Sequence, residues 1–220
     1  MVNAIQKTDA DIVVNKNILT EFSDSKKIFY EHPPEKDIQI NSYINIYAQI
    51  HKTFWVVWNK IYKTSFLKNN NLKFPVGYIM EDLYFHYITF AAAQKIFYTE
   101  GSTYHYRDRS DSVSKTQDDV GANCIKIFGL IYDYFAQNDL LDKKMKIYST
   151  FGWFNIKNEQ IYDEYKKYFD KAINYLNANK DVYNELDLYF ANNIANTVDY
   201  QDYVSKYPRS AVLSYVRRKK

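Results

Sequence analysis

The pair Glu81-Asp82 stands at the entry of the clearest helical pattern in the chain, just after Phe74-Pro75-Val76-Gly77. Two readings fit it. Acids in a first helical turn complement the helix dipole, at about 0.3–1 kcal/mol each. A carboxylate on a rigid helix start, next to an apolar loop, is also suited to accept a proton from a substrate hydroxyl. The neighbouring acid would then raise the pKa of that base or orient it. On residue type alone the helix-end reading carries more weight.

A second group is Tyr104-His105-Tyr106-Arg107-Asp108-Arg109 with Ser110-Asp111-Ser112-Val113-Ser114. Arg107 and Arg109, with hydroxyls at Ser112 and Ser114, suit an anion such as a diphosphate, because guanidinium forks give paired, charge-assisted bonds. A solvated loop whose arginines pair with Asp108 and Asp111 fits equally well. A third group is Trp58-Asn59-Lys60. Trp58 can stack on a sugar ring, with Asn59 and Lys60 bonding hydroxyls or phosphate. A core tryptophan beside two edge polar residues is the more common arrangement. Trp55 and Phe54 read as core.

Other patterns carry less. Asp9-Ala10-Asp11 is a D-x-D, but it precedes its strand, whereas ligands bind beyond the carboxyl ends of strands; it reads as a solvated loop. His32, His51, His86 and His105 show no close metal-ligand spacing, and His86 reads as a packing residue. Cys124, on an apolar helical stretch, reads as buried and inert. The terminal Arg217-Arg218-Lys219-Lys220 reads as a frayed tail, with peripheral contact to anionic lipid the minor alternative.

Composition narrows the classes. With 220 residues, 46% hydrophobic and 25% charged, the chain is in the globular range. Its 5 glycines are too scattered for a Walker loop or a dinucleotide-binding fingerprint. One cysteine excludes an intrachain disulfide and a cysteine zinc cage. A net charge of +3 with no basic cluster gives no nucleic-acid signal. No apolar run reaches the length of a membrane span, and the first residues lack a signal-peptide core, so the expected location is cytoplasmic. The 23 tyrosines and 14 phenylalanines fit a compositional bias as well as any function.

These groups need elements to position them. The pattern predicts a helix tail over residues 1–7 and a buried strand over 10–14. An exposed loop or hairpin follows over 20–38, then a helix over 38–50. The aromatic run Phe54-Trp55-Val56-Val57-Trp58-Asn59-Lys60-Ile61-Tyr62 reads as a strand, and 63–70 as a short helix. Residues 81–94 read as a helix with Leu83, Tyr84, Tyr87, Ile88, Ala91 and Ala92 on one stripe. Two short strands, 95–98 and 102–106, flank Glu100-Gly101. Beyond about residue 117 the pattern is helical. Tyr162, Tyr165, Phe169, Ile173 and Leu176 form one stripe, and Leu186, Tyr189, Phe190 and Ile194 another. The predicted plan is an α/β part over residues 1–115 followed by a mainly helical extension over 116–220.

Taken in order, Trp58-Asn59-Lys60-Ile61-Tyr62-Lys63, Phe66, Phe74, Gly77, Glu81-Asp82 with Phe85, Ala93-Gln94-Lys95-Ile96, and Tyr104, Tyr106-Arg107, Arg109, Ser112 and Ser114 resemble the acceptor half of bacterial family 2 glycosyltransferases. The opening Ala4-Ile5-Gln6-Lys7-Thr8-Asp9-Ala10-Asp11-Ile12-Val13 resembles the helix and strand just after that family's acidic metal motif. The resemblance covers residues 2–115. It implies a partial nucleotide-diphospho-sugar transferase sandwich of the GT-A kind, inverting the anomeric carbon in lipopolysaccharide, capsule or other surface-glycan synthesis. It implies Asp82 as the base, supported by Glu81, with Arg107 and Arg109 at the departing diphosphate and Trp58, Asn59 and Lys60 lining the cleft. Asp82 and Arg107 are expected to face a common hollow.

The resemblance also implies a divalent cation, Mn²⁺ or Mg²⁺, for the family, while its acidic motif falls before residue 1. Where Arg109 stands, many relatives carry a histidine. The expectation is therefore a truncated or split enzyme, inactive alone, that meets a nucleotide-sugar donor and a glycan acceptor, with a partner chain supplying the donor half. The alternative is a non-catalytic helical binding or scaffold protein derived from a transferase fold.

Overall fold

A computed structural model describes residues 1–22, 28–31, 41–43, 50, 53–109, 111, 120–141, 143, 145, 147, 159–182 and 196–206. The chain divides into two compact units, Met1–Asp118 and Asp119–Lys220.

The first unit is α/β. Helix α1 (Val2–Thr8) ends on Asp9, whose left-handed φ of 54° stops the helix and turns the chain into β1 (Ile12–Phe22). After β1 come the strands β2 (Ile28–Glu31), β3 (Ser42–Tyr43) and β4 (Lys60–Tyr62). Helices α2 (Thr64–Asn69) and α3 (Glu81–Ala92) and the long strand β5 (Ile96–Asp108) complete the unit. The sheet is mixed, in the order β2-β1-β5-β3. One edge of β1 runs parallel to β5. The other is shared by two antiparallel strands, β4 at Ile12 to Val14 and β2 near Leu19 and Glu21.

The β-branched run predicted as a buried strand is one: Ile12, Val13 and Val14 are buried, as is Ile18. The strand runs on to Phe22, past the expected start of the loop, because β5 pairs with it throughout. The two short strands predicted around Glu100-Gly101 are one strand. A register shift absorbs the extra residues, with Asn15 opposite Thr99 but Asn17 opposite Thr103. Residues 42–43, placed in a helix by sequence pattern, form strand β3 against Tyr98 and Phe97. Most of the remaining 38–50 segment lies outside the described residues.

Helix α3 is buried on more than one side. Leu83 and every residue from Phe85 to Phe90 are buried, whereas Tyr84, Ala91 and Ala92 of the expected stripe are only half so. Phe85 meets Tyr62 edge-on at 5.5 Å and stacks on Phe74 at 4.0 Å, while His86 lies 4.2 Å from the Phe90 ring. Asp9 and Asp11 are not a free loop: Asp9 pairs with Lys63, and Asp11 Oδ2 accepts the N–H groups of Gln94 at 2.9 Å and Lys95 at 3.1 Å.

The second unit is helical. Helices α4 (Val120–Gln137) and α5 (Glu159–Ala178) pack together, and α6 (Tyr200–Lys206) joins α5. Gly129 of α4 lets the ring of Tyr168 approach: a Cβ there would stand 2.3 Å from it. Tyr162, Phe169, Tyr175 and Leu176 are buried. Buried tyrosines here satisfy their hydroxyls, Tyr162 with Thr197 Oγ1 at 2.8 Å and Tyr175 by donating to the Met145 carbonyl at 2.5 Å. Cys124 is buried, and the stripe from Leu186 to Ile194 lies outside the described residues. Among the described residues no helix is long and apolar enough to cross a membrane.

Phe90, fully buried between β4 and the rest of α3, is the test of this core. Phe90→Ala should lower the unfolding free energy of the first unit by about 3–5 kcal/mol, read from urea denaturation.

Candidate functional site

The aromatic run 54–62 is only partly a strand. Residues 53–59 form an irregular loop, and regular pairing begins at Lys60. The cause is Lys60 itself. Its side chain is buried, and its ammonium donates to the carbonyls of Phe54 at 2.5 Å and Val56 at 2.6 Å and to Asn59 Oδ1 at 2.7 Å. An extended strand cannot turn the carbonyls of residues 54 and 56 onto one cation, so the chain curls around it. Asn59 closes the loop onto β1: its Nδ2 donates to the Asn15 carbonyl at 3.3 Å, and its own carbonyl accepts the Asn15 N–H at 2.8 Å.

Asp82 lies across from this loop, in the first turn of α3. Its Oδ2 accepts the Val57 N–H at 3.3 Å. Met80 caps the helix with a left-handed φ of 68°, a costly conformation for a residue with a side chain, and gives it no side-chain cap. Burial pushes the Asp82 carboxyl above its ordinary value. Neighbouring Glu81 adds to that push, while the Val57 N–H and Lys60 oppose it. Lys60 is driven down to about 7 by burial, with Asp82 pulling the other way. His86, one turn further along α3, is fully buried, with Nε2 3.2 Å from the Ile50 carbonyl. Burial and the nearby Lys60 hold it well below the usual histidine range, so it stays neutral.

The same loop presents Trp58. Its indole lies nearly parallel to the rings of Tyr104, 4.5 Å away, and Tyr106, 5.3 Å away, and meets Phe54 edge-on at 6.0 Å. Tyr104 is 38% exposed and Trp58 half-buried. Rings that are stacked yet partly open to solvent make an aromatic shelf for the apolar face of a ligand such as a sugar. Trp55 and Phe54, read as core, are half-buried members of this cluster.

The structure thus sets Asp82 against the loop that carries Trp58. It revises Asn59 and Lys60: both are enclosed and bonded within the chain, so they shape the site from beneath rather than line it. Glu81 is half-buried beside Asp82. Tyr104 and Tyr106 share the Trp58 face of β5, and strand alternation sets Arg107 on the other face, where it is exposed. Arg109 is exposed and pairs with Asp111 at 3.4 Å, the loop pairing that the sequence left open. Ser112 and Ser114 lie outside the described residues. Sequence reasoning missed the buried pairing of Lys60 with backbone carbonyls. The available signal was a lysine enclosed by bulky apolar residues with no acid in the same run.

Among the described residues no three His, Cys, Asp or Glu side chains gather as metal ligands. Asp9 and Asp11 are committed to Lys63 and to backbone N–H groups, so the one D-x-D in the chain does not fit a divalent cation.

No protein-family profile matches this chain, and no curated protein matches it. Solved structures do. TarS 1–349 of S. aureus in complex with UDP-GlcNAc superposes with a TM-score of 0.55 at 15% identity, covering 96% of this chain and 62% of that one. The same fragment described without a ligand gives 0.53 at 16% identity, and the UDP complex 0.51 at 14%, each covering 61% of the neighbour. This chain therefore spans about three-fifths of the length of those structures. The likeness shows the fold, which is glycosyltransferase-like.

The raised pKa of Asp82 makes a stability prediction. A carboxyl that titrates higher in the fold than in the unfolded chain weakens the fold while ionised, and this cost disappears as pH falls below the ordinary value of 3.8. Asp82→Asn should therefore raise the thermal midpoint at pH 7, and the gain should vanish near pH 3.5, followed by circular dichroism. A loss at pH 7 that shrinks near pH 3.5 would show instead that the Val57 bond outweighs the desolvation.

Proposed function

We propose that this chain forms the acceptor-side part of a sugar transferase that uses a nucleotide-sugar donor, with Asp82 as the general base. The observation that carries the reading is the placement of Asp82: half-buried, pushed up in pKa, and bonded to the N–H of Val57, the residue before the Trp58 that stacks on partly open Tyr104 and Tyr106. The glycosyltransferase-like fold supports it, as does a neighbour in complex with UDP-GlcNAc.

In this reading an acceptor glycan lies on the shelf. One of its hydroxyl oxygens attacks the anomeric carbon of the donor as the bond to the diphosphate oxygen breaks, and the hydroxyl proton passes to Asp82. A carboxyl whose pKa is raised by burial is a stronger base than an ordinary aspartate and suits that transfer, which contributes about 10²–10⁴-fold. The cations that meet the departing diphosphate come with the donor half in this reading, because Arg107 lies on the other face of β5 from the shelf and Arg109 pairs with Asp111. The resemblance to bacterial family 2 enzymes supports a surface glycan, such as lipopolysaccharide or capsule, as product. It also supports a donor half and cation site supplied by residues other than these, in the same polypeptide or in a partner chain.

Saturation-transfer NMR on the 220-residue chain tests this. Surface-type oligosaccharides should receive saturation and UDP-GlcNAc should not, and Trp58→Ala should abolish the oligosaccharide signal. Failure of every oligosaccharide would overturn the acceptor-side reading. Turnover of UDP-GlcNAc by this chain with Mn²⁺ would instead overturn the missing donor half, and Asp82→Asn should then lower that turnover by about 10²–10⁴-fold.

A further inference from the structure

A buried ammonium held by three acceptors is an unusual thing to find beneath a candidate base. Lysines are almost never fully buried unless paired, and the partners here are the carbonyls of Phe54 and Val56 and the amide oxygen of Asn59, not a carboxylate. An ammonium has three hydrogens and a neutral amine two. Only the charged form can satisfy all three acceptors, and losing the proton must release one of them. The loop gripped in this way contains both groups on which the site depends. Val57, between the gripped carbonyls and Asn59, gives its N–H to Asp82, and Trp58 carries the aromatic shelf.

Among the described residues, the charged or titratable groups coupled to Lys60 come from α3: Asp82, which favours the ammonium, and His86, whose own proton Lys60 disfavours. The Phe90 ring, 5.8 Å from Nζ, closes the remaining side with a π face.

We propose that Lys60 is the positioning residue of this site: its buried ammonium, by gripping the loop over residues 54–59, aims the Val57 N–H at Asp82 and sets Trp58 on its shelf, so that the protonation of Lys60 governs the geometry of the base. The role assigned to Asp82 rests on the function proposed above; the coupling of Lys60 to Val57 and Trp58 does not.

A heteronuclear NMR titration of the full chain, without any ligand, tests the coupling directly. The Lys60 side-chain nitrogen, the Val57 amide and the Trp58 indole should titrate together, in a step near pH 7 and far below the ordinary lysine value of 10.5. In Asp82→Asn the step should persist and move to lower pH, since the carboxylate favours the ammonium. In Lys60→Met the Val57 and Trp58 step should disappear and the Asp82 carboxyl should titrate higher still. His86 ring resonances, followed in the same spectra, separate its titration from that of Lys60. If Lys60→Met does not fold, the wild-type and Asp82→Asn spectra still decide. A Lys60 that titrates without moving Val57 or Trp58, or a Val57 step that Asp82→Asn abolishes, overturns the proposal. Loss of oligosaccharide binding with the coupled step intact would refute the transferase reading and leave this one standing.

Discussion

The first unit is organised around one desolvated positive charge. Burying an ammonium is costly unless hydrogen bonds replace its water, and the chain supplies them from its own backbone. That requirement decides the local structure. Carbonyls that would have joined a sheet ladder turn inward, the strand breaks into a loop, and the groups left facing outward are an N–H that finds Asp82 and an indole that finds two tyrosines. The rarely used backbone conformation at Met80 belongs to the same arrangement, since it starts α3 where Asp82 can reach the loop.

The sheet supplies the fixed frame. β1 is paired on both edges at its start, by β4 and β5, and Asn15 then anchors the end of the loop through two bonds to Asn59. Tyr104 and Tyr106 come from the part of β5 opposite Ile18 and Thr20 of β1, beyond the register shift. The bulge therefore sets which residues of β5 face Trp58: without its two extra residues the alternation would be kept but the pairing would slip by two, bringing Ser102 and Tyr104 opposite Ile18 and Thr20 in place of Tyr104 and Tyr106.

Much of this was legible in the sequence, and the failures share a cause. Helix α3 announced itself through its acidic first turn and its apolar spacing, and the buried strand through Ile12-Val13-Val14. Both signals are local. What could not be read was the fate of polar groups whose partners are backbone atoms. Lys60 and Asn59 look like ligand contacts because sequence records their donors but not the carbonyls that satisfy them. Likewise Asp9 and Asp11 read as a solvated loop until Lys63 and the amides of Gln94 and Lys95 are placed. The aromatic run read as a strand because β propensity describes fitness for a half-buried surface, and a surface of that kind is also what an aromatic shelf needs. Arg107 and its neighbour Tyr106 fall on different faces of β5 by a single position of strand alternation, which no composition argument can resolve.

The parallel pairing of β1 with β5 has a consequence for how the chain is made. Ile12 lies opposite Ile96, and the pairing continues to Phe22 opposite Asp108. During synthesis β1 leaves the ribosome long before its main partner exists, carrying a sticky row of Ile, Val and Val that has nothing to pair with on that side. Because loop closure over so long a separation precedes any reward from the contacts, the sheet of this unit can be completed only after β5 has emerged. A nascent chain halted between β4 and β5 would expose that edge to chaperones or to like chains, and productive folding waits on translation reaching Asp108.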